Sequence, residues 1–490
     1  MEGEREQFAD LQARLRKLAP TLTTRALEYE ERTIVVVNSI SLPVPSWVAP
    51  LLPAYEERFL CLVLALLRQP GTRVVYVTSQ PIHPRLIDYW FRLVPRLDRD
   101  EARRRGTFIS LSDSSLRPLT AKMLDRPRLL ERIRQTIVAP ERSLILPFVV
   151  TDLERRLAVE LGIPVYGPDP ELARFGTKTG GRRLFADVGV PVPIGVEGLT
   201  SLGDVVEAID EIRTRRPCCR QVIVKLDDSV SGLGNGIVTI GDGGEAPARA
   251  IALEDTSLSG DDFYDLVGER GAIVEERIAG EDFRSPSVQL RVRPDGEVEV
   301  LSTHDQILGG PSGQMYVGCR LPADPQYAVT IAAHGRVVAE RLRDEGVIGR
   351  FALDFVTVRE NGSWSPYAVE INLRNGGTSH PLFTLSALTD GTYDADAGVF
   401  RAESGRAKHY VATDDLEDDS YRSLTPDDLL DVAADEHLVW DEECQVGVAF
   451  HMVSALAVAG RVGLTAIGDS PGEAEALYRR AAGIIDAAAR

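Results

Sequence analysis

At 490 residues, 44% hydrophobic and 26% charged, the chain has the makeup of an ordinary water-soluble globular protein, too long for one core and expected to form about two to four domains. Its 55 basic and 74 acidic residues leave a net charge of −19, which argues against nonspecific binding to nucleic acid or an anionic membrane. No run approaches the roughly 20 apolar residues of a membrane span, the opening MEGEREQFAD is acidic where a secretory signal is basic, and the five cysteines form neither a disulfide framework nor a zinc spacing, so a cytoplasmic location is expected.

Residues 1 to about 30 read as a polar helix with Phe8, Leu11, Leu15 and Leu18 on one stripe. From Thr33 to Tyr166 short apolar runs (TIVVVN, RVVYVT, TFISL, SLILPFV, IPVYG) alternate with helical segments. This pattern predicts a parallel sheet with helices on both faces. Ligands in such sheets sit at the carboxyl ends of strands, where Asn38, Ser39, Ser79 and the segment after Pro147 fall, although each also suits ordinary loop capping.

Beyond Pro168 the texture changes. FGTKTGGRRLF carries Lys178 among small residues at a helix start, and QVIVK ends a strand on Lys225, where an ammonium can point into a site. SGLGNG then places Gly232, Gly234 and Gly236 at alternate positions; such a turn leaves N–H groups free to close over phosphate oxygens, but glycine turns between strands are common. AIVEERIAGEDF is a strand running into an acidic connector at Glu275 to Ile278. There backbone groups could read an adenine edge, and Asp282 or Glu281 could bind ribose hydroxyls.

RFALDFVTVRENGSWSPYAVEINLRNGGTSH follows. FALDFVTV and WSPYAVEIN are strand-like, and Glu360-Asn361-Gly362-Ser363 between them is turn chemistry, so a hairpin is expected. Glu370 and Asn372, two apart, share a strand face, and Asp354 can stand beside them on the neighbouring strand. Two carboxylates and an amide oxygen on one wall make a hard-oxygen set suited to magnesium with nucleotide phosphates. Arg374-Asn375-Gly376-Gly377-Thr378 leaves that strand with two glycines and can approach a substrate closely. Residues 391 to 425, rich in Asp, Gly, Ser and Thr, read as an exposed linker. VGVAFHMVSALAVAG and RVGLTAIG read as strands around a Gly460-Arg461 turn, and Ser470-Pro471-Gly472-Glu473 opens a last helix.

The order of these features resembles the ATP-grasp superfamily over about residues 170 to 395, and within it the pheganomycin-type peptide ligases across the whole chain. The carriers are GTKTGGRRLFADVGVPVP, SGLGNG, VEERIAG, THDQILGG and VEINLRNGGTSHP. The resemblance implies an α/β protein with an N-terminal parallel-sheet domain of the pre-ATP-grasp kind (1–170), an ATP-grasp domain (171–395, lid at about 180–280), and a linker with a small C-terminal α/β unit (396–490). It implies ATP and Mg2+, and ligation of an amino-acid-type carboxylate to a peptide amine through an acylphosphate. Lys178 and Lys225 would contact phosphate, Ser231 to Gly236 would form the phosphate lid, Glu275 and the Ile278 backbone would hold adenine, and Asp282 the ribose. Asp354, Glu370 and Asn372 match metal ligands, and Arg374 the cation for the transferring phosphoryl group. Where the family often has Arg two residues before the metal Asp this chain has Ala352, the nearest arginine being Arg350, a substrate candidate. His304 or His380 could deprotonate the amine, although a lone loop histidine is more often structural. The reading leaves room for a homodimer. Its alternatives are another carboxylate–amine ligase or carboxylase of small metabolites, and a nucleotide-gated peptide-binding protein without turnover.

Overall fold

The computed structural model describes residues 2–23, 31–44, 47–229, 232–241, 250–280, 282–310 and 313–490, with no side-chain description for 19–23. The predicted first helix runs Glu2–Thr23 and buries Phe8 and Leu15 fully, as the stripe requires. Four strands then form an all-parallel sheet in the order β3-β2-β1-β4: β1 Arg32–Val37, β2 Thr72–Thr78, β3 Gly106–Ser110 and β4 Leu144–Pro147. IPVYG adds only a parallel bridge, Val165 to Ile145.

A separate five-stranded antiparallel sheet follows, in the order β5-β9-β6-β7-β8: β5 Gly195–Leu199, β6 Gln221–Leu226, β7 Asn235–Thr239, β8 Ile251–Leu253 and β9 Ala272–Glu276. Helices Leu202–Arg215 and Gly260–Arg270 cover it, and Val205, Ile209, Val222, Val224, Val267 and Val274 give it a core of its own.

The largest sheet has nine strands: β10 Phe283–Arg284, β11 Pro286–Val292, β12 Val298–Gly309, β13 Met315–Leu321, β14 Gly349–Glu360, β15 Ser363–Asn372, β18 His409–Glu417, β19 Gly447–His451 and β20 Arg461–Gly468. A separate pair, β16 Thr392–Asp394 and β17 Val399–Arg401, lies between β15 and β18 in sequence. The hairpin of β14 and β15 forms as predicted, and both loop residues, Asn361 (φ 50°) and Gly362 (φ 81°), have the positive φ that a two-residue type I′ turn demands. Helix Pro325–Asp344 packs on β11, β12 and β15 through Tyr327, Ile331, Val338 and Leu342.

Two expectations need correction. The segment predicted as linker holds β18, a buried strand joining β13 to β20, so the nine-stranded sheet crosses the boundary drawn at residue 395. VGVAFHMVSALAVAG is not one strand: β19 ends at His451, Met452 turns the chain at φ 52°, and Ala455–Ala459 is a short helix closed by Gly460. The last helix, Pro471–Ala488, is capped by the Ser470 side chain as predicted.

Candidate active site

The β14–β15 register sets Asp354 directly opposite Glu370 and Ala352 opposite Asn372, which brings the three predicted oxygen ligands onto one face. Asn372 Nδ2 donates to Asp354 Oδ2 at 2.9 Å, Gln306 Nε2 donates to Asp354 Oδ1 at 2.7 Å, and Lys178 Nζ pairs with Glu370 Oε1 at 2.7 Å. Burial, and after it the facing Glu370, pushes the Asp354 carboxyl up to about 7. Burial acts the same way on Glu370, but Lys178 and Arg374 outweigh it and hold that carboxyl below its ordinary value. Two carboxylates forced together in a half-buried site are stabilised by a cation, and an all-oxygen donor set fits a hard divalent ion such as Mg2+.

These groups lie in the wall of a cavity of about 590 Å³ that collects most of the predicted site: Lys178, Lys225, Gly232, Glu275, Ile278, Arg374, Asn375, Gly376, Gly377 and Thr378. Lys178 is delivered by the start of helix Lys178–Asp187, whose cap is the Thr177 side chain, and its backbone N–H is anchored on Asp227 O. Lys225, near the end of β6, pairs with Glu275 Oε2 at 2.6 Å, while Arg182 NH1 holds Glu275 Oε1 at 2.7 Å. Both carboxylate oxygens of Glu275, 2% exposed, are thus engaged, one by Lys225 and one by Arg182, while Ile278 of the connector lines the cavity beside it. The Arg374 guanidinium has no carboxylate within ion-pair distance among the described residues; burial lowers its pKa, opposed by the charges of Glu370 and Asp354.

Other predicted residues fall elsewhere. Of the three glycines only Gly232 borders the cavity; it holds φ 79°, and a Cβ there would meet Gln314 O at 2.9 Å. Gly236 instead admits the β8 side chain Ile251, whose Cδ1 would lie 2.3 Å from an added Cβ, and Gly234 packs on Ser229. Ser231 and Glu281 lie outside the described residues. Asp282 is not part of the cavity wall; Arg359 NH1 lies 3.8 Å from it. His304 is corrected to a structural residue. It is fully buried away from the cavity, Nε2 is 2.6 Å from the Tyr410 hydroxyl, and burial pushes its pKa down to about 3. Arg350 lines a second cavity, which it shares with Arg374 and Asn375.

The sequence reading missed Gln306, Arg182 and Asp414; His380, the other histidine considered as a base, is not in the cavity wall but buried behind it in a cluster with Asp414 and His451. There Asp414 Oδ1 lies 2.8 Å from His451 Nε2 and 3.1 Å from His380 Nε2, and Arg58 holds the other oxygen. Burial pushes His380 down to about 3, and Arg58 already neutralises Asp414, so the cluster fastens helix Ser379–Thr389 behind the Arg374 loop. The alternation of HYVATDD was the one available signal for Asp414.

Comparison with known proteins fits this geometry. A family model described as IQCH-like, ATP-grasp matches residues 256–395, and one described as PGM1 C-terminal domain matches 428–481. The chain is 34% identical over 443 residues to the L-propargylglycine–L-glutamate ligase of Streptantibioticus cattleyicolor, covering 89% of this chain and 90% of that one. It is 24% identical to IQ motif-containing protein H of Danio rerio, over 66% of this chain and 36% of the relative. Among solved structures, N5-carboxyaminoimidazole synthetase from Staphylococcus aureus with ADP superposes with TM-score 0.54 at 12% identity, covering 93% of this chain and 98% of that one. Biotin carboxylase from Campylobacter jejuni with an ATP analogue gives TM-score 0.55 at 14% identity, covering 94% and 92%. These two likenesses concern the fold.

Proposed function

This chain belongs to the ATP-grasp carboxylate–amine ligases of the pheganomycin type, and from that premise we propose that it joins an amino-acid carboxylate to the amine of an amino acid or peptide through an acylphosphate. The observation carrying this reading is the single wall that unites Asp354, Glu370, Asn372 and Lys178 with Arg374 two residues further on.

A carboxylate nucleophile is already ionised near neutral pH, so its attack on the γ-phosphorus of ATP needs no general base. The γ-phosphoryl group moves to the carboxylate oxygen and ADP leaves. The amine then attacks the acyl carbon, phosphate leaves with the C–O electron pair, and one proton is lost to give the amide. Charge on the phosphoryl oxygens in flight calls for fixed cations. Lys178 and Lys225 serve the phosphates and Arg374 the group being transferred. Asp354, Glu370 and Asn372 would hold Mg2+, which when bound offsets charge on the phosphate tail. The five-stranded unit with Gly232 acts as the lid that shields the acylphosphate from water. The donor is a modified amino acid and the pathway one that builds small peptide products, which rests on the relative's use of propargylglycine and glutamate.

The test is ADP release with Mg-ATP across a panel of amino-acid donors and amine acceptors, with product masses read in parallel. Amine-dependent ADP formation matched by an amide product supports the reading. ADP release without any amide, or a product carrying added carbon dioxide, overturns it.

A further inference from the structure

The second cavity, of about 500 Å³, lies between the N-terminal parallel sheet and the nine-stranded sheet and meets the first at Phe148, Arg374 and Asn375. One wall is mainly aliphatic, with Ile34 and Val36 from β1, Leu144 and Leu146 from β4, and Leu62 and Leu66 from helix Leu60–Leu67; Arg32 at the start of β1 also lines it and is held by the Thr72 and Gln69 side chains. The opposite wall is cationic. Strand register sets Arg291 of β11 directly beside Arg350 of β14, and Arg374, two residues past the Ala352–Asn372 pair, continues the row on the far side. Like charges side by side on a sheet are unfavourable unless something neutralises them. Arg291 has Glu299 and Arg293 has Asp295 and Glu297. Arg350 and Arg374 have neither a carboxylate within 4.0 Å nor a side-chain hydrogen bond among the described residues; Arg350 only stacks on the Phe383 ring at 4.5 Å. Among the described residues the only acid in the cavity wall is Glu299, which Arg291 occupies.

We propose that this chamber is the subsite of the amine-bearing substrate, and that Arg350 binds a carboxylate which that substrate keeps ionised throughout the reaction, while Arg374 at the shared wall serves the phosphoryl group. The inference rests on the ligase reading above. Guanidinium groups in an apolar chamber need an anion, and their planar fork matches a carboxylate. The carboxylate that is activated cannot fill this role, because it must sit at the phosphoryl group in the first cavity and loses its charge on activation, and an amino-acid donor with a single carboxylate has none left over. The acceptor's carboxylate stays charged, and holding it at Arg350 turns the chamber's occupant toward the shared wall at Arg374. The substrate class is therefore an amino acid or short peptide with a free carboxylate.

The experiment titrates L-glutamate, L-glutamine and L-isoglutamine into the full chain loaded with Mg2+ and a nonhydrolysable ATP analogue, by calorimetry, for wild type, Arg350→Met and Arg350→Lys. Saturable L-glutamate binding, weakened at least about tenfold in Arg350→Met with nucleotide affinity retained, is the expected result. Loss of one amide analogue's disadvantage in Arg350→Met identifies which carboxylate it holds. Should Arg350→Met lose nucleotide binding as well, Arg350→Lys decides, since it keeps the charge but not the fork and is expected to weaken L-glutamate alone. Unaltered L-glutamate affinity in the variants, or none in the wild type, overturns the inference. The two readings fail separately. Amide formed by Arg350→Met with unchanged acceptor KM refutes the subsite and leaves the ligase standing, whereas Arg350-dependent L-glutamate binding without amide formation does the reverse.

Discussion

At the scale of single residues, Glu370 carries the heaviest load, because it faces Asp354 and anchors Lys178 at once. Replacing it by Gln keeps the shape and a hydrogen-bond acceptor but removes the charge. Glu370→Gln should therefore lose ADP formation on the order of 100-fold or more while its thermal unfolding stays close to wild type. His304 makes the opposite kind of prediction. Its folded pKa of about 3 lies below the ordinary value of 6.5, so the unfolded chain binds the extra proton. Its contribution is complete above the ordinary value and is lost as pH falls toward the folded one, by about 2 kcal/mol at pH 5. His304→Phe should flatten the fall in Tm between pH 7 and pH 5, whatever it does to Tm itself, and a variant as acid-sensitive as wild type would refute this. The three candidate metal ligands were legible as one wall because period two along a strand is a local rule. Arg182 and Asp414 were not, because their meaning lies in partners 93 and 356 positions away, Glu275 and Arg58.

Among elements, the glycine loop separates function from packing. Gly232→Ala brings a Cβ against Gln314 O in the cavity wall and should raise the KM for ATP, whereas Gly236→Ala collides with Ile251 and should lower stability by about 1–3 kcal/mol with less effect on ATP. Steady-state kinetics beside urea unfolding reads both; equal KM effects would contradict the assignment. The hairpin was legible since Asn-Gly between β-rich runs encodes the I′ turn. β18 was not, because its acids looked solvated; Asp414 is in fact neutralised by Arg58, and Asp415 and Glu417 by Arg461. The run ending at Gly460 was ambiguous for another reason: a continuous apolar stretch has no period to separate strand from helix.

For the whole molecule, the C-terminal segment is part of the body. Leu60, Leu64 and Trp90 share one hydrophobic core with Tyr410, Phe450, Leu464 and Ile485. A chain ending at residue 395 would expose that core and strip three strands, β18, β19 and β20, from the nine-stranded sheet, so it should fail to yield soluble nucleotide-binding protein; a folded, ATP-binding fragment would contradict this. The alternation of strands and helices made the N-terminal sheet legible, but how it meets the nine-stranded sheet, and hence the second cavity, depends on tertiary packing that no local pattern encodes. The central claim is that a carboxylate is phosphorylated on the Asp354–Glu370 wall. Its most direct measurement uses a donor labelled with oxygen-18 in its carboxylate and follows the released phosphate by mass spectrometry. One labelled oxygen in phosphate for each amide formed is the predicted result, and amide formation with unlabelled phosphate would contradict it.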